Sequence, residues 1–303
     1  MLTHDADTFL AIARGCAPDF GPATARAVFL VAPDGFGLAA ESATDNRYMA
    51  SAEAFDAGRA SAQHRDLQRA LSAELPVICF AGDPATPDAV FPNNVFATAP
   101  GRLIVGRMRY PVRQREATRR DIRRFFREQL GREEIDLSGQ PHPCELTGAL
   151  VIDRARGLGF CGLSERCDEA GAQRMHGAFG LRATLMFDLA PGEYHTNVVL
   201  AVLAGRAALY CPDGFAGGDV ARVLQALYGR HAIALSAGER AAFAGNAIAL
   251  GDDAVWMSAT AEAALAPATR EALGLAGFRV RAVSLEAIEA AGGSLRCCVG
   301  EIF

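Results

Sequence analysis

Apolar runs, turns and one amphipathic stretch follow one another along this chain in an order that returns about every 50 residues, and this recurrence restricts its fold more than any other feature. From Asn94 the order predicts strands over 95–97 and 103–105 around Gly101, then a helix with Ile122, Phe125, Phe126 and Leu130 on one face. It returns with strands over 150–152 and 158–160, a helix capped by Ser164 and running through His176, and a strand over 181–187. Next come strands over 198–202 and 207–210, a helix carrying Val220, Val223, Leu224, Leu227 and Tyr228 that stops at Gly229, and a strand over 232–235. The following unit has strands over 247–250 and 254–257, a helical stretch after Ser258 and a strand over 278–283. A last strand over 298–303 has no successor, but the N-terminal region offers what it lacks: a strand over 27–32, a polar, Ala-rich helical segment from about Ser51 to Leu71, and a strand over 76–80. The units begin near Asn94, Thr147, Asn197, Asn246 and Cys297. Five strand-strand-helix-strand units closed in a ring, with the two chain ends sharing one unit, follow from this spacing. No linker or low-complexity stretch divides the chain, so residues 1–303 read as one α/β domain.

Composition narrows the function. Half of the 303 residues are hydrophobic and the net charge is −5, which removes the basic footprint of a nucleic-acid binder or a peripheral membrane protein. The start, MLTHDADTFLAIARG, lacks a basic stretch followed by a sustained apolar one, and no later run approaches the ~18 apolar residues of a membrane span. A cytoplasmic protein with no nucleic-acid or membrane partner is expected. Eight cysteines stand at 16, 79, 144, 161, 167, 211, 297 and 298, without the spacing of a zinc site, so reduced thiols and no metal are expected. Arg119, Arg120, Arg123, Arg124 and Arg127 alternate with acidic residues and an apolar face, the pattern of a solvated helix surface.

A ring gives the unit starts a geometric meaning, because residues at equivalent strand ends converge on one mouth. Those starts carry the sequence's oddest polar residues: Asn93 and Asn94 in VFPNNVF, Glu145 in PCELTG, His195 and Asn197 in EYHTNVV, Asn246 in AGNAIAL, and Cys297 in GGSLRCC. Each alone has an ordinary explanation. Cysteine packs well in cores, histidine serves as a hydrogen-bonded shoulder, Glu145 can cap an element, and asparagine suits turns. Together, a thiol, an imidazole and a carboxylate are the parts of nucleophilic catalysis, since a thiolate needs a base or a positive charge nearby and a histidine needs an orienting partner.

In these motifs, and in VAPDGFGLAAESATDNRYM near the start, the chain resembles the guanidino-group-modifying enzymes, or penteins, and most closely the amidinotransferase-like branch that includes the citrulline-utilisation hydrolases. The resemblance spans nearly the whole chain. It implies a five-bladed α/β propeller about a pseudo-fivefold axis, no metal or other cofactor, and a covalent thioether on Cys297 as nucleophile. His195 is then the general acid/base and Glu145 the carboxylate that holds substrate nitrogen. Arginine deiminases and arginine amidinotransferases carry aspartates where this chain has Asn94 and Asn197. Amides both donate and accept but carry no charge, which favours a neutral ureido group or a loosely clamped guanidino group. Asn93 belongs to the same substrate-binding set. An α-carboxylate calls for an arginine, and Arg109, Arg113 and Arg296 all lie beside the proposed site loops, with Arg296 the one adjoining Cys297.

The leading expectation is a cysteine-dependent hydrolase that releases ammonia from a small amino-acid-like ureido or amidino compound, citrulline or an arginine derivative. An amidinotransferase consuming an amine acceptor is the alternative within enzymes. A non-catalytic scaffold, like the ring-shaped ribosome anti-association factors, is the alternative outside them. A homodimer is compatible with the sequence.

Overall fold

The computed structural model describes residues 1–39, 41–49 and 55–303, so the helix start expected near Ser51 and Ala40 of the early motif lie outside the described residues. Among the described residues sixteen strands form in chain order. They are β1 (Leu2–Thr3), β2 (Ala27–Val31), β3 (Val77–Phe80), β4 (Phe96–Ala99), β5 (Arg102–Val105), β6 (Glu133–Asp136), β7 (Leu150–Asp153), β8 (Leu158–Leu163), β9 (Ala183–Asp188), β10 (Leu200–Leu203), β11 (Ala207–Tyr210), β12 (Ala232–Ala234), β13 (Ile248–Leu250), β14 (Ala254–Ser258), β15 (Arg279–Val283) and β16 (Gly300–Ile302).

The strands make five small sheets in a mixed α/β fold, and one pairing rule runs through all five. The first strand of each sheet pairs antiparallel with the second, and the second pairs parallel with the third. A tight turn suffices for the first step, whereas a parallel partner requires a crossover, which helices supply. Glu169–Phe179 joins β8 to β9, Asp219–Tyr228 joins β11 to β12, and Ala57–Ser72 joins β2 to β3. The sheet β16-β2-β3 combines the last strand with two strands of the N-terminal region, as the spacing predicts. Sheet neighbours meet along their first strands, β7 against β10 and β10 against β13, while the Thr98 hydroxyl beside β16 donates to the Glu301 carbonyl and accepts from the Phe303 amide.

Several local expectations are corrected. Ser164 does not cap the following helix; Asp168 does, accepting from the Gly171 amide at 2.7 Å, and the Ser164 hydroxyl instead donates to the Tyr194 carbonyl. The strand β6 went unread because EEID is polar, yet its Glu134 and Asp136 gain partners in Arg123 on the crossover helix. The strand β1 adds a fourth member to the sheet of β7, β8 and β9, and helix Ala6–Ala13 packs on Asp219–Tyr228. The terminal apolar run is not one strand from Cys298, since Leu295–Cys298 forms a single helical turn and extension starts only at Gly300.

That turn and β16 are held against the rest by close packing. Phe29 on β2 lies edge-on to Phe126 at 5.2 Å and to Phe80 at 6.1 Å, and a side-chain carbon on Gly300 would overlap the Phe29 ring. Overfilling such a core costs about 1–3 kcal/mol, because neither the ring nor the paired backbone has free space to move into. Gly300→Ala is expected to lower the urea midpoint by that amount of stability, and an unchanged midpoint would show that the ring is loosely held.

Candidate active site

A short helical turn precedes each first strand that carries a predicted site residue. Pro92–Asn94 leads into β4, Leu146–Ala149 into β7, Thr196–Val199 into β10 and Leu295–Cys298 into β16. The strand ends are therefore not extended. Each turn lifts side chains off the strand end, with Glu145 and His195 as the residues just before their turns. Leu146, directly after Glu145, has φ of 22°, a conformation unfavourable for a side-chain-bearing residue, so the backbone at the carboxylate is strained.

Glu145 and His195 meet. The imidazole Nε2 lies 2.8 Å from Glu145 Oε2, with both side chains fully buried. The same carboxylate receives the Arg166 guanidinium at 3.3 Å and the Arg109 amide at 2.9 Å. Burial pushes the Glu145 carboxyl up, but the Arg166 charge and the His195 contact outweigh it and leave its pKa at about 2. An ionised carboxylate only accepts, so Nε2 carries the proton it donates to Glu145 and Nδ1 is the free basic nitrogen. Burial, partly offset by Glu145, lowers the His195 pKa and keeps the ring neutral near neutral pH.

Gly148 lies against both the amide of Asn94 and that free nitrogen. A side-chain carbon at Gly148 would lie 2.7 Å from Asn94 Oδ1 and 2.9 Å from His195 Nδ1, so only glycine leaves room between them. Cys297 is buried, and its Sγ accepts from Asn246 Nδ2 at 3.3 Å and stands 4.0 Å from Asn197 Oδ1. Burial raises the thiol pKa above its ordinary value of 9.0, with hydrogen bonds from the Ser294 backbone and Asn246 opposing it. Cys298 is also buried, packed in a hydrophobic cluster, and burial raises its pKa further.

Cys297 opens onto a pocket, about 320 Å³ including its open mouth, that Asn94, Asp88, Arg113, Arg166 and Tyr194 also line. Several polar atoms of the unit-start residues have no hydrogen-bond partner among the described residues: Asn94 Oδ1, whose residue lines this cavity, both amide atoms of Asn93, His195 Nδ1, Asn197 Nδ2 and Asn246 Oδ1, all buried. Each such atom costs about 1–3 kcal/mol unless something satisfies it, and a planar group bearing several N–H donors would satisfy the acceptors among them.

The arginines sort themselves by geometry. Arg113 lines the cavity, bound bidentately to Glu116 at 2.8 and 2.9 Å and 4.0 Å from Asp88. Arg109 is half exposed and pairs with Glu165, contributing to the site through its backbone. Arg296 does not join the cavity of Cys297: its guanidinium donates to the Val299 carbonyl and to Glu301 and lines a different cavity. Arg166 is the residue that sequence reasoning missed. Nothing in LSERCD marks it, yet it is buried and ties Glu145 to Asp45 at 2.6 Å and to the Ser42 carbonyl, anchoring the segment 41–49 beside the cavity. Among the described residues no group of three or more His, Cys, Asp or Glu side chains is arranged to hold a metal ion. No described helix is long and apolar enough to cross a membrane.

No curated protein sequence matches the chain. Among solved structures, the chain is similar to the N-terminal domain of the arginine dihydrolase ArgZ from the ornithine-ammonia cycle in cyanobacteria, bound to substrate. The TM-score is 0.80 at 20% identity, over 91% of this chain and 97% of that one. AgrE in complex with ornithine and NAD+ is matched with the same score and identity over 91% of this chain but only 39% of that longer one. A histidine-to-glycine variant of dimethylarginine dimethylaminohydrolase, as its adduct with S-methyl-L-thiocitrulline, is matched with a TM-score of 0.70 at 20% identity, over 92% of this chain and all of that one. The profile of the family described as N,N dimethylarginine dimethylhydrolase, eukaryotic, covers residues 32–303, and the chain accordingly belongs to that family of guanidino-modifying penteins.

Proposed function

We propose that this protein hydrolyses the guanidino group of arginine or an N-methylated arginine through a covalent thioether on Cys297. His195 acts as general acid and base, Glu145 orients it, and Asn93, Asn94 and Asn197 surround the planar nitrogen group. The observation that carries the reading is one cavity joining a buried thiol, an unpartnered amide and two buried arginines. Arg113 and Arg166 suit an α-carboxylate, and Asp88 suits an α-ammonium. The repeated strand order, with the packing between first strands, supports closure of the five sheets as a five-bladed propeller over residues 1–303. The eight unpaired cysteines suit a reducing, cytosolic setting.

The choice between guanidino and ureido heads turns on charge. Amides at 94 and 197 favour a neutral head, but the wider surroundings do not. Arg113 and Arg166 are attended by Asp88, Glu116, Asp45 and Glu145, an excess of carboxylates over cations. Burial raises Glu116 to about 7 against the pull of Arg113, which leaves it partly protonated at neutral pH and trims that excess, while Asp45 and Glu145 remain beside Arg166. A cation is better accommodated there than a neutral group, in keeping with the family.

The chemistry follows from the resting protonation states. Burial keeps the Cys297 thiol protonated, and a guanidinium docked against Sγ would lower its pKa and favour transfer of the proton to His195 Nδ1. The thiolate then adds to the central guanidino carbon, and the imidazolium returns the proton to the departing nitrogen, which leaves as ammonia or a methylated amine. His195 next takes a proton from water, whose hydroxide adds to the same carbon. Collapse expels the Cys297 thiolate and leaves a ureido product. An amidinotransferase would use an amine in place of that water, and a binding scaffold would not turn over.

A product screen for ammonia, methylated amine, citrulline and ornithine across arginine, N-methylated arginines and citrulline tests the reading. Turnover is expected on guanidino compounds, and Asn94→Asp is expected to raise kcat/KM for guanidino over ureido substrates by about tenfold per 1.4 kcal/mol of added pairing. Turnover of citrulline alone, with arginines inert, would reverse the assignment.

The thiol's protonation makes a second expectation. Alkylation of Cys297 by a neutral haloacetamide without substrate should accelerate with rising pH and reach half its maximum above pH 9, because the thiolate is the reactive form. A plateau already reached near neutrality would show a resting thiolate instead.

A further inference from the structure

Asn197 stands between two cavities: its Oδ1 lies 4.0 Å from the thiol of Cys297, and its side chain also lines a second cavity that the reaction does not use. This second space, about 490 Å³ including its open mouth, is bounded by residues of β7, β10 and β13 and by Arg154, Arg296 and Glu301. Partly exposed Val151, Val202 and Ala204 line it, so it communicates with solvent.

Its charges do not balance. Among the described residues lining it, Glu301 is the one carboxylate against two guanidinium groups. Arg296 takes Glu301 at 2.8 Å, whereas Arg154 remains 4.0 Å away, beyond hydrogen-bond reach. The three side chains are only 10, 12 and 13% exposed for Arg154, Arg296 and Glu301 respectively. Of the five N–H donors on Arg154, one finds a hydrogen-bond acceptor among the described residues, the Thr98 carbonyl at 3.0 Å. The face of its guanidinium rests 4.2 Å from the Phe303 ring centre and 5.2 Å from that of Phe179, contacts that attract a cation but accept none of its hydrogen bonds. The Phe303 carbonyl itself accepts from Arg132. Burial pulls the Arg154 pKa down to about 10, Glu301 offsets part of this, and the like charge of Arg296 adds to it. Asn197 contributes a further donor, its Nδ2, which is buried without a partner.

We propose that this cavity binds a small monovalent inorganic anion, of the class of chloride, at the free N–H groups of Arg154, with Arg296 adding to the positive field while Glu301 Oε2 faces both arginines. One net positive charge calls for one negative charge, and the free N–H groups of Arg154 supply its hydrogen bonds. A buried, under-neutralised cation is unfavourable, and an anion entering through the open mouth offsets part of that cost. The site is separate from the thiol's cavity and holds whatever the substrate proves to be.

The test is thermal unfolding of the intact protein while chloride replaces gluconate at constant ionic strength, beside excess chlorine NMR line width under the same conditions. The wild type is expected to show a saturable rise in Tm and a saturable excess line width that nitrate displaces. Arg154→Gln should raise the half-saturating chloride concentration at least tenfold, while Arg182→Gln, at a partly exposed arginine paired with Asp19, should leave it unchanged. Absence of a saturable chloride effect in the wild type, or an equal effect in Arg154→Gln, overturns the proposal. If Arg154→Gln does not fold, Arg154→Lys replaces it, with at least a fivefold shift expected and an unshifted value overturning the proposal.

Discussion

The site depends on one buried carboxylate. Glu145 has no contact with solvent, and it is ionised because Arg166, His195 and the Arg109 amide surround it. Removing one partner from such a buried pair typically costs about 3–5 kcal/mol, so these groups behave as a unit rather than as separate contacts. The unit sets the chemistry and the architecture together. Through Nε2 it fixes which imidazole nitrogen is left basic, and through Arg166 it holds Asp45 and the Ser42 carbonyl, and with them the segment beside the cavity.

Around that carboxylate the remaining polar groups are held in waiting. On the proposed reading, neutral His195, a protonated Cys297 and the unpartnered amides form a resting site whose groups become complementary when a planar, donor-rich head arrives. Pre-organisation of this kind places the cost of burying polar atoms in folding rather than in the chemical step. The five sheets meet that cost through apolar clusters packed beneath the turns, as at Phe29, Phe80 and Phe126.

Much of this was legible in the sequence, for physical reasons that also explain the rest. Central strands are apolar and their turns carry glycine, so the recurrence in the chain matches the five observed sheets, including the one shared by β16 and β2. The polar residues at unit starts stand out because apolar strands follow them, and the structure brings Glu145, His195, Asn94, Asn197 and Cys297 to one neighbourhood. What failed was proximity in sequence used as proximity in space. Arg296 adjoins Cys297, but successive residues of a helical turn point about 100° apart, and the two side chains enter different cavities. Arg166 and the strand β6 were missed for the opposite reason: their value lies in partners far along the chain or on a crossover helix, which polar residue types alone do not disclose.

The central claim is that the sulfur of Cys297 bonds to the guanidino carbon during turnover, and the direct measurement is acid quenching at steady state followed by peptide mass analysis. Arginine or an N-methylated arginine that turns over should leave an adduct on the peptide containing Cys297 and Cys298, localised by fragmentation to Cys297 and absent from Cys297→Ala but not from Cys298→Ala. Steady turnover in Cys297→Ala, or an adduct confined to another cysteine, would contradict the account.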